Sequence, residues 1–479
     1  RGEAAAKRRC AMRHLGLCLC LLVGLWGCGE EAEPGAGGEG ADVGVEGDLS
    51  QEGDLVREEE GEGPALPSCG IEAPAGLEVV GGGLGRLEAV AVGGVGAVEA
   101  RAPEGWGAWS EGGSGVLLRA PYVGGEGSLA WSLDCGDGTG AVAETALTVR
   151  AVSWSRRWSL SGGDGPAERE HPTVWIHPED PDGLYLFGGY LYRPRQFTPA
   201  DDLWRFDLAS GRWEAVAQEG ERPPYVGGRA AARADQVGVV YYGGDQDQAG
   251  NPWAWGLALS SRPAVWSRLG EEGARGPSLT GFVRDAGRFV GFGGYDYARG
   301  VSGRVEVFDL EAGRWASVRP TSAQGAGPSP RYGFLYGYDE ATRRLIVFSG
   351  GGSALPADPV NAHEDAWALE LGQEPPRWTL LEGGATAPPG RRNGCGAWDP
   401  EGQRLFVWGG TSDGQTTAQG LFALHVDPDG ASWHEVALPD APDARASCAG
   451  VYDPTRRAIW MGFGNNDFAI YADQVSLNL

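Results

Sequence analysis

Leu184-Tyr185-Leu186-Phe187-Gly188-Gly189 is a run of β-formers that ends in a glycine pair, and Asp207-Leu208-Ala209-Ser210-Gly211-Arg212-Trp213 follows it as a tight turn into a Trp. The unit recurs. Small pairs stand at Gly243-Gly244, Gly293-Gly294, Gly350-Gly351, Gly409-Gly410 and, degenerately, Gly464-Asn465. Trp213, Trp266, Trp315, Trp378 and Trp433 follow the first five pairs at a near-constant delay. A period of roughly fifty-five residues, sustained from about residue 150 to the last, means a propeller or a solenoid.

The runs before the pairs, such as Val239-Val240-Tyr241-Tyr242 and Leu405-Phe406-Val407-Trp408, read as strands buried on both faces. Gly-Gly lets the backbone take φ > 0 and lets a neighbour approach closely. Asn465 is expected to keep that role in the sixth copy, because Asn tolerates the left-handed region. A third strand follows each pair, as in Leu203-Trp204-Arg205-Phe206 and Val305-Glu306-Val307-Phe308. It turns into the Trp strand through an Asp-to-Gly hairpin, so each unit is expected to be a four-stranded antiparallel meander.

The glycine pair, the aromatic third strand, the spaced Trp and an Arg opening the first strand resemble the kelch repeat, over residues 151–479. The resemblance implies an all-β chain with a six-bladed kelch-type β-propeller. The sixth copy stops at Gln474-Val475-Ser476-Leu477-Asn478-Leu479, its third strand. A spare Trp strand lies before the first copy at residues 154–160, with Arg157-Trp158 matching Arg212-Trp213. The N-terminal strand is expected to complete the last blade and remove an open edge. A truncated open array is the alternative.

Lys7, Arg8, Arg9 and Arg13 precede a short apolar stretch, residues 15–26, which reads as an export signal. Leu25-Trp26-Gly27-Cys28 resembles a bacterial lipobox, with bulky Trp26 where a small residue is usual. That resemblance implies a signal peptide over 1–27 with its true start at Met12, lipid on Cys28, and, with Gly29 next, sorting to the outer membrane. An ordinary secretory signal with an incidental Cys is the alternative. Residues 28–67 are Gly- and Glu-rich, with thirteen acids against one base, Arg57, and read as an extended tether. Residues 68–150 carry short strands at 87–92, 115–119 and 145–149 between Gly-rich turns. Leu129-Ala130-Trp131-Ser132-Leu133-Asp134-Cys135-Gly136-Asp137 resembles the late strands of an immunoglobulin-like domain of the PKD type, with Trp131 in its core.

The chain has 39 basic and 65 acidic residues, a formal net charge of −26. That disfavours nucleic acid, whose affinity comes from phosphate neutralisation, and direct adhesion to anionic lipid. A membrane link is expected through the acyl group alone. Cys69, Cys135, Cys395 and Cys448 remain beside Cys28, an even number for an oxidising compartment. Cys69 with Cys135, and Cys395 with Cys448, are disulfide candidates; free buried thiols are an equal alternative for the second pair.

Arg169, Arg331, Arg391 and Arg445 each open a first strand eight residues before His177, Asp339, Asp399 and Asp453. Equivalent positions in a propeller fall on a ring, so one reading is an anion site at the channel mouth. The other is that each Arg ties its own blade. The loops after the glycine pairs vary most, and loops on a rigid scaffold carry specificity. Tyr190, Tyr192, Arg193, Arg195, Tyr295 and Tyr297 are candidate contacts there. Galactose oxidase has kelch-like blades, but no copper constellation is visible among His171, His177, His363, His425 and His434. No metal or cofactor is expected. The reading is a non-catalytic cell-envelope lipoprotein that binds a protein or glycan. The alternative is an enzyme on an acidic sugar, similar to the sialic-acid mutarotase.

Overall fold

The computed structural model describes residues 69–479 apart from 93–97, 112–113, 123, 136–138, 159–164, 194–195, 225, 233–237, 247–248, 272–276, 297, 353–361, 415 and 467–468. The signal, Cys28 and the tether lie outside the described residues. Every described element is a β-strand; none is a helix.

Residues 69–150 build two larger sheets and a two-stranded one that pairs Gly70–Glu72 with Val90–Val92. One larger sheet has the order Gly76–Val80, Gly140–Arg150, Gly125–Asp134, Val98–Arg101; the other is Leu84–Glu88, Gly115–Arg119, Gly107–Ser110. Alternation along Gly125–Asp134 sends Leu129, Trp131 and Leu133 inward and leaves their neighbours exposed. The Trp131 indole donates to Thr145 Oγ1 at 2.8 Å, and that hydroxyl donates to the Pro74 carbonyl at 2.8 Å. A disulfide joins Cys69 and Cys135. The strand expected over 87–92 is broken at Ala89, whose two sides join different sheets, Leu84–Glu88 and Val90–Val92. The strand expected over 145–149 runs through Gly140–Arg150, because its long partner Gly125–Asp134 supplies ladder bonds to the end.

From Thr173 onward, meanders follow one another. The first is Thr173–His177, Asp180–Phe187, Leu203–Asp207 and Arg212–Ala215. The fourth is Leu335–Asp339, Arg344–Phe348, Ala366–Glu370 and Arg377–Leu381. Second strands are the core: Leu345, Ile346, Val347 and Phe348 are all fully buried. The sixth sheet takes Ala449–Asp453, Ala458–Gly462 and Gln474–Asn478 from the C-terminus and Ser153–Trp158 from before the first meander.

The Trp register of that added strand differs from expectation. In the other sheets the Trp pairs with the fourth residue of the third strand: Trp213 with Phe206, Trp315 with Phe308, Trp433 with Leu424. The equivalent residue, Leu477, pairs with Trp154, while Trp158 lies beyond an irregularity opposite Gln474. Trp154 therefore holds the position that Arg157-Trp158 was read to hold. The ring packing agrees. Each of these Trp rings meets an aromatic of the preceding sheet: Trp266 on Phe187 at 4.8 Å, Trp315 on Tyr242 at 4.5 Å, Trp378 on Phe292 at 4.8 Å, Trp433 on Phe348 at 4.5 Å and Trp154 on Trp408 at 5.5 Å.

The pairs are also shifted in two copies. Left-handed φ falls on Ser349-Gly350 and Phe463-Gly464, not on Gly351 or Asn465. The cause is the contact between sheets. In four copies the second residue of the pair donates its N–H to the carbonyl of the next sheet's Arg: Gly294 to Arg331, Gly350 to Arg391, Gly410 to Arg445 and Gly464 to Arg169. The last of these joins the sixth sheet to the first.

Two residues beyond each of the four Arg, and at the equivalent Gly227 and Leu279, the backbone closes on itself. His171 N–H donates to Ser447 O, Ser447 to Asn393, Asn393 to Gly333, Gly333 to Leu279, Leu279 to Gly227, and Gly227 back to His171, at 2.6–3.4 Å. All six residues have φ between 52° and 66°, and only two are Gly. Holding His, Leu, Asn and Ser there costs about 1 kcal/mol each or more, which the ring bonds and flanking strands offset. A disulfide between Cys395 and Cys448, 53 residues apart, joins the fifth and sixth sheets beside this ring. Closing such a loop is worth about 4 kcal/mol in the chain-entropy model.

The small domain sits against the fifth and sixth sheets. Arg119 donates to Asp427 Oδ1 and, at 2.8 Å, to the carbonyls of Gly82 and Gly402. Arg404 donates to Gly81 O at 2.6 Å, and the Tyr122 hydroxyl meets His425 Nε2 at 2.7 Å. Gly82 has φ 68°, and a Cβ there would overlap both Tyr122 and Arg404. His425 is 1% exposed. Burial first, then Arg119, His434 and Arg404, hold its pKa well below the ordinary 6.5. The unfolded chain therefore binds a proton that the folded one refuses. Stability is expected to be complete above pH 6.5 and to fall as the pH drops below it. Melting followed across that range checks this, and a melting point flat from neutral pH downward to the carboxylate range would refute it.

Candidate functional site

The four arginines are buried, with 0, 0, 1 and 1% of Arg169, Arg331, Arg391 and Arg445 exposed. Arg169 forks onto Asp202 at 2.6 and 2.9 Å and donates to the carbonyls of Gly188 and Ala167. Arg331 repeats this with Asp365, Ser349 O and Ser329 O; Arg445 binds Asp473. Arg391 binds only the carbonyls of Pro389 and Gly409, and burial lowers its pKa to about 10. Of the two readings of these arginines, the ties within each blade are the one these hydrogen bonds match. The acids eight residues on are hairpin caps: Asp399 accepts from Glu401 N and Gly402 N, and Asp453 from Thr455 N and Arg456 N.

The adjacent residue of each strand does face the mouth. Glu170, Arg392 and Ala446 pair with Tyr190, Thr411 and Asn465, the residues that follow the left-handed pairs. Around them lies a cavity of about 240 Å³, lined by Glu170, Arg392, Asn393, Thr411, Thr417 and Asn465. Asn465 donates to Glu170 Oε1 at 2.6 Å. Burial raises the Glu170 pKa, which that bond partly counters; burial lowers that of Arg392, against Asp413. Arg392 Nε and Asn393 Oδ1 are buried without a hydrogen-bond partner. The Arg392 guanidinium lies 5.3 Å from the Tyr332 ring, which lies 5.6 Å from Tyr295. Beneath the mouth lie one buried donor and one buried acceptor without partners, beside a carboxyl biased toward neutrality and a row of aromatic rings.

Of the loop residues, Tyr190 and Tyr295 are half-buried at this mouth, and Tyr192 and Arg193 lie on the strand Tyr190–Arg193. Arg195 and Tyr297 fall outside the described residues. Trp253 packs between strands under Arg268, 4.8 Å from its ring. Among the described residues no group of three or more His, Cys, Asp and Glu is placed to hold a metal. Glu170, Arg392 and Asn393 were missed in the sequence. The signal was the register: strand alternation turns the residue next to a buried tie toward solvent.

Sequential four-stranded meanders, each joined to the next through a glycine-pair contact and a shared aromatic, define a β-propeller. Residues 281–479 match the KLHDC2/KLHL20/DRC7 Kelch-repeats domain, which supports kelch repeats in this part of the chain. The chain is similar to Kelch domain-containing protein 2 of Rattus norvegicus, 27% identical over 200 residues, covering 35% of this chain and 47% of that protein. It is similar to Kelch domain-containing protein 1 of Mus musculus, 30% identical over 141 residues, covering 28% and 34%. Adagio-like protein 3 of Oryza sativa is 24% identical over 314 residues, covering 64% and 47%. The chain spans about half the length of these relatives, or less.

Proposed function

We propose that this kelch propeller is a non-catalytic binding protein that takes a protein or glycan ligand at the mouth around Glu170 and Arg392. Its propeller is read as six-bladed and closed by the strand Ser153–Trp158, with an immunoglobulin-like sandwich before it. The six-membered backbone ring and the pairing of Ser153–Trp158 with Gln474–Asn478 support that reading. One observation carries the binding role: Arg392 Nε and Asn393 Oδ1 are buried at the mouth without partners. Each such group costs about 1–3 kcal/mol, which a ligand that bonds it recovers. The acidic-sugar enzyme draws no support from the four arginines, whose N–H groups are engaged within their own sheets. In capture and glycan-array experiments, Arg392→Ala with Glu170→Gln should lose the captured ligand while melting as the parent does. Undiminished capture by that double variant would sink the reading.

The same proposal places the protein at the cell envelope, exported and held to the outer membrane by lipid on Cys28, with residues 28–67 as tether. Its support is the run from Lys7 to Cys28 and the acidic composition that follows. Cys28→Ser should move the protein to the soluble fraction and abolish palmitate labelling; equal labelling of both forms would reject the anchor.

A further inference from the structure

The geometry points to a second site, separate from the mouth: the cleft between the small β-domain and the hairpin Leu421–Asp427/Gly430–Glu435 binds a neutral saccharide. The cleft holds about 610 Å³, within the range of pockets that enclose small ligands.

Its walls are flat rings. Cross-strand pairing sets His434 beside Ala423 and His425 beside Ser432. The two imidazoles then lie 4.4 Å apart at 30°. Tyr122 faces both, 5.6 Å from His425 and 6.0 Å from His434. Trp109 comes from the small domain. Its indole lies over Gly107, where a Cβ would come within 2.7 Å of the ring. His425 is buried behind the stack, and the accessible rings of Trp109 and His434 suit the C–H face of a pyranose, with the polar groups beside them for its hydroxyls. Ser432 Oγ and His434 Nε2 sit 3.2 Å apart at the rim. Asp427 accepts the Arg119 guanidinium on its Oδ1.

The charge pattern selects a neutral ligand. Arg119 is occupied by Asp427 and two carbonyls, yet its charge helps to depress both imidazoles, after burial. An added cation meets that same field. An anion meets Asp427 and the exposed Asp429. A hydroxyl-rich neutral molecule meets neither penalty. Protonating His434 beside Arg119 removes an acceptor from the rim, so affinity should fall as the pH drops below the ordinary imidazole range.

The test is titration of the full chain with methyl glucoside, methyl galactoside, methyl mannoside and N-acetylglucosamine, read by calorimetry and Trp fluorescence. At least one should saturate with a Kd on the order of 1 mM or tighter. Trp109→Ala and His434→Ala should each weaken it at least about tenfold, roughly 1.4 kcal/mol, and Arg392→Ala should leave it unchanged. Should His434→Ala lower the melting point, Trp109→Ala decides, since that ring is partly exposed. The inference is overturned if none of the four sugars saturates, or if galacturonate or a simple amine binds more tightly than all of them. It is also overturned if binding survives both substitutions or is lost only in Arg392→Ala, which would place the sugar at the mouth.

Discussion

A chain in which residues 151–158 are replaced by a Gly-Ser linker should melt far below the parent and aggregate on expression. Three losses coincide. Strand Gln474–Asn478 loses its whole outer partner and becomes an exposed edge. Val152 and Trp154 leave a core shared with Phe406, Ile459, Met461 and Leu477. The Trp154 contact to Trp408, which couples the sixth sheet to the fifth, disappears. Removing one large aromatic from a core typically costs about 3–5 kcal/mol, a large share of the roughly 5–15 kcal/mol that holds a domain folded. Thermal melting and size-exclusion chromatography check this. A replaced chain as stable and monodisperse as the parent would show that the strand closes nothing.

Arg331→Gln should lower unfolding free energy by about 2–4 kcal/mol, since the guanidinium is buried while Asp365 keeps 33% of its side chain in water. The guanidinium donates to both oxygens of Asp365 and to the carbonyls of Ser349 and Ser329. Removing it strands the buried Ser349 carbonyl and leaves Asp365, a third exposed, to partial solvation. Arg391→Gln is the internal control. Arg391 has no carboxylate, only the Pro389 and Gly409 carbonyls, so its loss should cost about 1–3 kcal/mol. Denaturant titration measures both. Equal costs, or a change under about 0.5 kcal/mol for Arg331, which is what a free surface residue would give, would refute the tie.

The periodic features were legible in the sequence because backbone geometry imposes them. The second strand of each meander is buried on both faces, so the apolar runs stood out, and the Trp recurs because each outer strand repeats one packing position. What failed was register by a few residues. Nothing local distinguishes Gly350-Gly351 from Ser349-Gly350; the choice is made by the Arg391 carbonyl of the next sheet. Trp154 and Trp158 compete for one position, and Leu477 on a strand more than 300 residues away decides between them. The site was less legible still. Arg is equally at home on a surface or in a buried fork, and only the placement of Asp202, Asp365 and Asp473 shows that three of the four are forked inward. His425 and His434 meet across one hairpin, and Tyr122 joins them only through the docking of the small domain.

The pairing of Ser153–Trp158 with Gln474–Asn478 also sets a timetable. The first strand of the propeller to leave the ribosome is among the last to find its partner. At roughly 5–20 residues per second, the stretch from Ser153 to Leu479 takes about 20 s to a minute to make. For that interval Trp154 and its neighbours wait beside the already complete small domain, whose Val80 and Tyr122 belong to the same eventual core. The small domain is thus positioned to shelter a nascent strand until the end of the chain arrives. Slowing translation near the C-terminus should tax this protein more than slowing it near the middle.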